Sequence, residues 1–237
     1  MPPLGGIFLL ENMEIIIFAH RGIPVKFAEN SLEGFRYAVE HGTEGVEFDV
    51  HLTKDKVPIV MHDEKIDRTM DGSGYIKDYT LSEIRRFHLD NGEPVPMLSE
   101  LLEILQNRDV YINLEFKTNK IHDVGIENIV LALVKKYHFV HPIIFSSFNY
   151  QTLKNCQRID KKQQYCFLTK VPVLFPEYFV KKNYFAAIHP HFYLPSKVTQ
   201  RIWTVDNPKL ARRYFKLGVA GIFTNNFELM NKVKEEG

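Results

Sequence analysis

The chain has 237 residues, 45% hydrophobic and 25% charged, enough to bury the core of one large α/β domain or two small ones. Its 30 basic and 29 acidic side chains leave a formal charge of +1, and its basic doublets are scattered, so nothing in the charge pattern suggests a nucleic-acid groove or a polybasic membrane anchor. Cys156 and Cys166 lack metal-ligand spacing and are expected as free buried thiols in a reducing cytoplasm, while residues 1–10 are too short to span a bilayer and lack a basic flank.

Residues 1–12 show no periodicity and are expected as an extension outside the fold, which begins after Met13. Residues 14–19 form a continuous apolar run, suited to a strand buried on both faces, and it ends in His20-Arg21-Gly22. Glu29-Asn30-Ser31 then leads into Leu32, Phe35, Tyr37, Ala38 and Val39, a helical pattern that Ser31 can cap. In the next strand, residues 44–50, a period of two sets Glu47 and Asp49 on one face and Val46, Phe48 and Val50 on the other. Two adjacent carboxylates repel, and a divalent cation with oxygen ligands removes the conflict. A solvated acidic edge strand is the competing account of this pentapeptide. The next apolar run, residues 57–61, ends in the titratable pair His62-Asp63, which favours acid–base chemistry beside a metal over a solvated edge.

Between residues 63 and 80 helix signals vanish and Asp71-Gly72-Ser73-Gly74 marks a turn, so this stretch reads as a small insertion after the second strand. Thr80 or Ser82 can cap a short helix through Phe87, and Met97-Leu98-Ser99 opens another to about Gln106. The strand over 109–117 alternates Asn113, Glu115 and Lys117 against Ile112, Leu114 and Phe116. Helices are expected over 123–138, 150–158, 176–182, 207–216 and 227–235, and strands over 143–147, 164–168, 185–188, 201–205 and 219–224. Only ten residues separate Pro190 from Arg201, too few for a full helix with its loops, so the sixth helix is shortened or absent. Eight strands alternating with helices point to a single (β/α)8 TIM barrel over residues 13–237 rather than an open doubly wound sheet. His20, Arg21, Glu47, Asp49, Glu115, Lys117, Ser146, Ser147, His189 and Trp203 fall at or near C-terminal strand ends, the face on which such barrels build active sites.

With these residues in order, the sequence resembles the glycerophosphodiester phosphodiesterase family of metal-dependent TIM-barrel hydrolases. The matching segments begin with His20-Arg21-Gly22, Glu29-Asn30-Ser31 and Glu47-Phe48-Asp49-Val50 with Thr53, Asp55 and Pro58. They continue through His62-Asp63, Arg68-Thr69, Glu115-Phe116-Lys117, Ser146-Ser147-Phe148-Asn149, His189-Pro190 and Trp203-Thr204-Val205. The resemblance implies one divalent cation, Mg²⁺ or Ca²⁺, held by Glu47, Asp49 and Glu115. It implies His20 and His62 as an acid–base pair, Arg21 and Lys117 as cations for the phosphodiester oxygens, and Phe148 and Trp203 as lining for the glycerol or the leaving alcohol. The chain departs from the family at Thr224-Asn225-Asn226, where an acid and a proline are usual.

The chemistry asks for the same residue types. An anionic phosphodiester resists nucleophiles, so a metal and fixed cations must absorb charge building on its oxygens. Two histidines can remove one proton and supply another. No side-chain nucleophile is marked, which favours attack by the substrate's own neighbouring hydroxyl through a cyclic phosphate. The expected partner is a small glycerophosphodiester, with no nucleic acid and no membrane anchor; oligomeric state is not legible. Two other functions compete: a lysophospholipase D-like phosphodiesterase and a catalytically silent barrel that binds phosphate esters. His189 reads as structural, Asp63 as an orienting group, and His41, His51, His88, His122, His138, His141 and His191 as surface or packing residues.

Overall fold

The computed structural model describes residues 14–236, and the expected extension over residues 1–12 lies outside them. The first elements are β1 (Ile16–His20), α1 (Leu32–Glu40), β2 (Gly45–Leu52), β3 (Pro58–Val60), α2 (Leu81–Ile84), α3 (Leu98–Leu105) and β4 (Tyr111–Phe116). Next come α4 (Ile126–Val134), β5 (Ile144–Ser147), α5 (Tyr150–Ile159), β6 (Gln164–Thr169), α6 (Pro176–Asn183) and β7 (Ala187–Pro190). The last are β8 (Arg201–Ile202), α7 (Pro208–Lys216), β9 (Gly221–Thr224) and α8 (Phe227–Glu235). Ser31 caps α1 by accepting the Gly34 N–H, and Thr80 caps α2 in a reciprocal box with Glu83.

Strands are hydrogen-bonded in the order β7-β6-β5-β4-β2-β1-β9-β8, all parallel, and β3 folds back antiparallel on β2. A parallel bridge between Ile188 and Gln200 brings β7 against the start of β8 and nearly closes the ring. The result is a (β/α)8 barrel whose β7–β8 connection contains no helix among the described residues. β8 is only two residues long, shorter than the expected 201–205, because only Arg201 and Ile202 keep register with β9.

Alternation sorts the strand side chains into two layers. Ile17, Ala19, Val46, Phe48, Val50, Ile112, Leu114, Phe116 and Phe145 face outward into the large core beneath the helices. Ile16, Phe18, Ile144, Cys166, Ala187 and Phe223 fill the barrel interior. Between β2 and α3 a separate apolar cluster of Ile59, Met61, Ile66, Met70, Ile76, Ile84, Leu89 and Val95 gives the intervening chain a small core of its own.

Phe18 plugs the barrel, its ring 4.9 Å from that of Phe223. The strands on either side of β1 make room for it with glycine. A Cβ on Gly45 would stand 2.7 Å from the Phe18 ring, and one on Gly221 would stand 2.5 Å from the Ile16 carbonyl oxygen and 3.3 Å from the same ring. The backbone oxygen has no rotamer by which to yield. Gly221→Ala is therefore expected to destabilise the fold by about 1–3 kcal/mol through overpacking, lowering Tm by several degrees. An unchanged Tm in calorimetry would show that β1 and β9 can part without loss.

Candidate active site

β2 and β4 are neighbours, with Glu47 opposite Asn113 and Asp49 opposite Glu115. Their common pleat turns all four side chains inward at a strand spacing of about 4.8 Å. One carboxylate oxygen each from Glu47, Asp49 and Glu115 lies within 4.8 Å of the others, and all three residues are buried. β2 is flanked by β1 and β4, so the reading of this stretch as a solvated edge strand is overturned.

Two cations meet the three acids. Lys117 Nζ lies 2.8 Å from Glu115 and 3.6 Å from Asp49, and Arg21 Nε lies 3.5 Å from Asp49. Despite its burial, Asp49 is held below the usual carboxylate range by Lys117 and Arg21. Burial, then Asp49 and Glu115, push Glu47 well above that range. Burial also raises Glu115 against the pull of Lys117, with Asp49 adding to the rise. Counted as ionised, the three acids exceed the two cations by one negative charge, and their mutual repulsion adds to burial in raising Glu47 and Glu115. Asn30 donates to Asp49 at 3.2 Å and Asn113 to Ser146 at 2.9 Å, while the Oδ1 atoms of both amides are buried without a partner among the described residues. Three converging carboxylates with surplus charge and only oxygen donors fit a hard divalent cation.

The two histidines are each gripped at Nδ1. His20, the last residue of β1, sits 2.8 Å from Asn225 Oδ1. Asn225 is itself oriented by Asp206, which accepts its amide Nδ2–H at 2.6 Å and its backbone N–H at 2.7 Å. A carboxylate accepts only from the NH₂ group, so Oδ1 must face the ring and Nδ1 must carry hydrogen. Nε2 is left directed at Glu47, 3.9 Å away. His62 Nδ1 lies 2.6 Å from Asp63, whose other oxygen accepts from Arg68 Nε at 2.6 Å. Arg68 forks onto Glu29 at 2.9 and 2.7 Å, and Glu29 also accepts from Arg21 at 3.2 Å. Burial and the Arg21 charge push His20 down to about 4, so that ring is neutral with its Nε2 lone pair free, while burial lowers His62 against the opposing pull of Asp49 and of its hydrogen bond to Asp63. Against its burial, hydrogen bonds from Arg68 and His62 hold Asp63 down at about 2, as a carboxylate.

Arg21 and Asn30, the ends of the β1–α1 loop, both adopt left-handed backbone conformations, and the Asn30 N–H donates to the Arg21 carbonyl. Gly22 follows at φ +85°, where a side chain would be strained. This pinched loop delivers Arg21, Glu29 and Asn30 to the acidic cluster together.

Every sequence-predicted site residue except Asp49 lines one cavity of about 450 Å³, and Asp49 lies buried beneath it. Phe148 and Trp203 form one wall, edge to face at 5.3 Å. Trp203 Nε1–H donates to the His189 carbonyl at 2.7 Å, while the buried His189 ring packs on Phe223, a structural setting as expected. Lys170, which the sequence reading passed over, also lines the cavity, its Nζ 5.8 Å from the Phe148 ring centre. His51 is corrected from ordinary packing: it is buried, 3.3 Å from the His62 carbonyl oxygen and 3.4 Å from Asp123, and so braces the backbone that carries His62. Ser146 and Ser147 spend their hydroxyls on Asn113 and on the Phe116 carbonyl, and burial pushes the Cys166 thiol up to about 11. Neither serine contacts a base.

Residues 20–229 match the glycerophosphoryl diester phosphodiesterase family. The chain belongs to this family. It is an enzyme of the phosphodiesterase class, and the silent-barrel reading falls away. The glycerophosphodiester phosphodiesterase of Caldanaerobacter subterraneus subsp. tengcongensis is 32% identical over 95% of this chain and 100% of its own. A putative glycerophosphoryl diester phosphodiesterase from Silicibacter pomeroyi superposes with a TM-score of 0.86 at 23% identity, covering 95% of each chain. A phosphodiesterase from Oleispira antarctica, solved with its product sn-glycerol-3-phosphate, superposes with a TM-score of 0.84 at 24% identity over 93% of this chain and 96% of its own.

Proposed function

We propose that this phosphodiesterase hydrolyses glycerophosphodiesters to glycerol 3-phosphate and an alcohol, with one divalent cation and with His20 and His62 as base and acid. The observation that carries the proposal is the pair of imidazoles pinned at Nδ1, their Nε2 atoms free in the cavity that also holds the acidic cluster, Arg21 and Lys117. The product seen in the Oleispira antarctica relative supports the substrate class.

Glu47, Asp49 and Glu115 would hold the cation, and all-oxygen ligation suits Mg²⁺ or Ca²⁺. Once bound, it supplies positive charge against the phosphoryl oxygens as they gain negative charge. Arg21 and Lys117, which lie against Asp49 and Glu115, would meet the remaining phosphate oxygens. Phe148 and Trp203 receive the apolar parts of the substrate.

The different Nδ1 partners support one division of the proton transfers. Asp63, a carboxylate, favours an imidazolium at His62, whereas the neutral amide of Asn225 leaves His20 as the weaker proton holder. His20 Nε2 then takes the proton of the glycerol hydroxyl next to the ester. That oxygen attacks phosphorus and closes a five-membered cyclic phosphate, and His62 gives its proton to the departing alkoxide. In the second step the roles exchange: His62 takes a proton from water, water opens the ring, and His20 returns a proton to the glycerol oxygen. Holding nucleophile and ester in one molecule supplies proximity that free water lacks.

Glycerophosphocholine whose neighbouring hydroxyl is replaced by hydrogen is the decisive substrate. Its turnover should fall by a factor on the order of 10² or more, and the parent should show a transient cyclic phosphate by phosphorus NMR. Equal rates for the two substrates would assign the attack to water instead.

A further inference from the structure

Exposed apolar side chains concentrate on the loop that leaves β6. That strand ends at Thr169 on the cavity's own face, and Leu168, Thr169 and Lys170 are part of the cavity wall. The chain then turns outward through Val171-Pro172-Val173-Leu174-Phe175-Pro176 into α6. Val171 is 67% exposed, Leu174 82%, Phe175 78% and Tyr178 64%. Phe175 holds a left-handed conformation, φ +50°, that a bulky residue adopts only at a conformational cost.

Lysines outnumber acids along this stretch. Residues 170–183 contain Lys170, Lys181 and Lys182 against the single acid Glu177. Lys182 Nζ lies 5.5 Å from the Tyr178 ring centre. The neighbouring loop, residues 191–200, has Lys197 and no acid, and Glu177 binds the Lys197 backbone N–H at 3.0 Å. Phe192 on that loop is also exposed.

We propose that this loop seats the mouth of the cavity on a bilayer surface bearing anionic headgroups. Apolar side chains on a protruding tip, beside lysines, match an interface that is apolar within and negatively charged at its edge. A second copy of the chain fits less well. A two-fold contact would set the apolar tip against itself and bring the lysines of one copy towards those of the other, like charge on like charge. A soluble substrate gives the exposed tip no role, since the cavity walls end at Lys170. The inference stands on this surface and does not depend on the reaction route proposed above.

The test is co-sedimentation of the full chain with vesicles of phosphatidylcholine alone and of phosphatidylcholine with phosphatidylglycerol in equal parts. Binding is expected to the second and to weaken as salt is added. A Leu174→Ser, Phe175→Ser variant should lose a factor on the order of ten or more in vesicle partition, while its turnover of a soluble phosphodiester and its Tm stay at the parent values. Leu174→Trp provides a second readout: its fluorescence should shift to the blue on anionic vesicles and not on neutral ones. Failure of the parent chain to bind anionic vesicles, or equal partition of parent and double variant, would overturn the proposal. So would a concentration-dependent dimer that the double variant abolishes, because it would give the loop to a second copy.

Discussion

Glu47→Gln is expected to lower kcat by a factor on the order of 10³ or more, and excess EDTA should silence the parent chain until Mg²⁺ or Ca²⁺ is returned. Glu115→Gln should behave alike. The stability effect should run the other way. Three buried carboxylates face two cations, and burial with mutual repulsion already drives Glu47 towards its neutral form. A neutral amide of the same shape relieves that repulsion, so the metal-free Tm should hold or rise. Activity loss together with a retained or raised Tm separates a ligand from a structural residue. Full turnover in excess chelator would end the assignment of the cluster to a metal.

The second large effect is predicted for the histidines. His20→Ala and His62→Ala should each remove on the order of 10²–10⁴ in kcat, with metal binding by calorimetry unchanged. Their dependence on the leaving group should differ. A p-nitrophenol ester of glycerol phosphate expels a stable phenolate that needs no proton, so the initial burst of p-nitrophenolate, which reports the first step alone, should recover much of the loss in His62→Ala. His20→Ala should gain nothing, because the attacking hydroxyl still has to be deprotonated. Rescue of His20→Ala instead would invert the roles read from Asp63 and Asn225.

Much of this was legible because it is local. Alternation along residues 44–50 and 109–117 placed Glu47, Asp49 and Glu115 on inward faces, and β2–β4 register then brought them together. The same period of two reaches His51, two residues past Asp49, and was the available signal that His51 also faces inward and is buried. The supporting partners were not legible, since they depend on pairs far apart in sequence. Asp206 reaches Asn225 only because α7 returns the chain to β9, and Glu29 meets Arg68 across the segment after β3. At Asn225 the sequence showed a missing acid, whereas the fold shows an amide with a carboxylate behind it. Strand bounds shifted by a few residues, most at β8, where pairing stops after Ile202.

The helix-less connection between β7 and β8 has a consequence for how the barrel breathes. β2 and β4 share six register pairs, whereas β7 meets the chain before β8 through a single bridge, with the Ile188 N–H on Thr199 and the Trp203 N–H on Pro190 at 3.4 Å. No helix packs over that seam among the described residues. Amide hydrogens from 188 to 203 should therefore exchange with solvent well before those of β2 and β4, because local opening follows the least-supported contacts. Trp203 stands on the seam, and the carboxylates stand on the most heavily laddered pair. The wall that meets the substrate's apolar parts is thus free to yield to groups of different bulk, while the acidic wall opposite keeps its spacing through the same fluctuations.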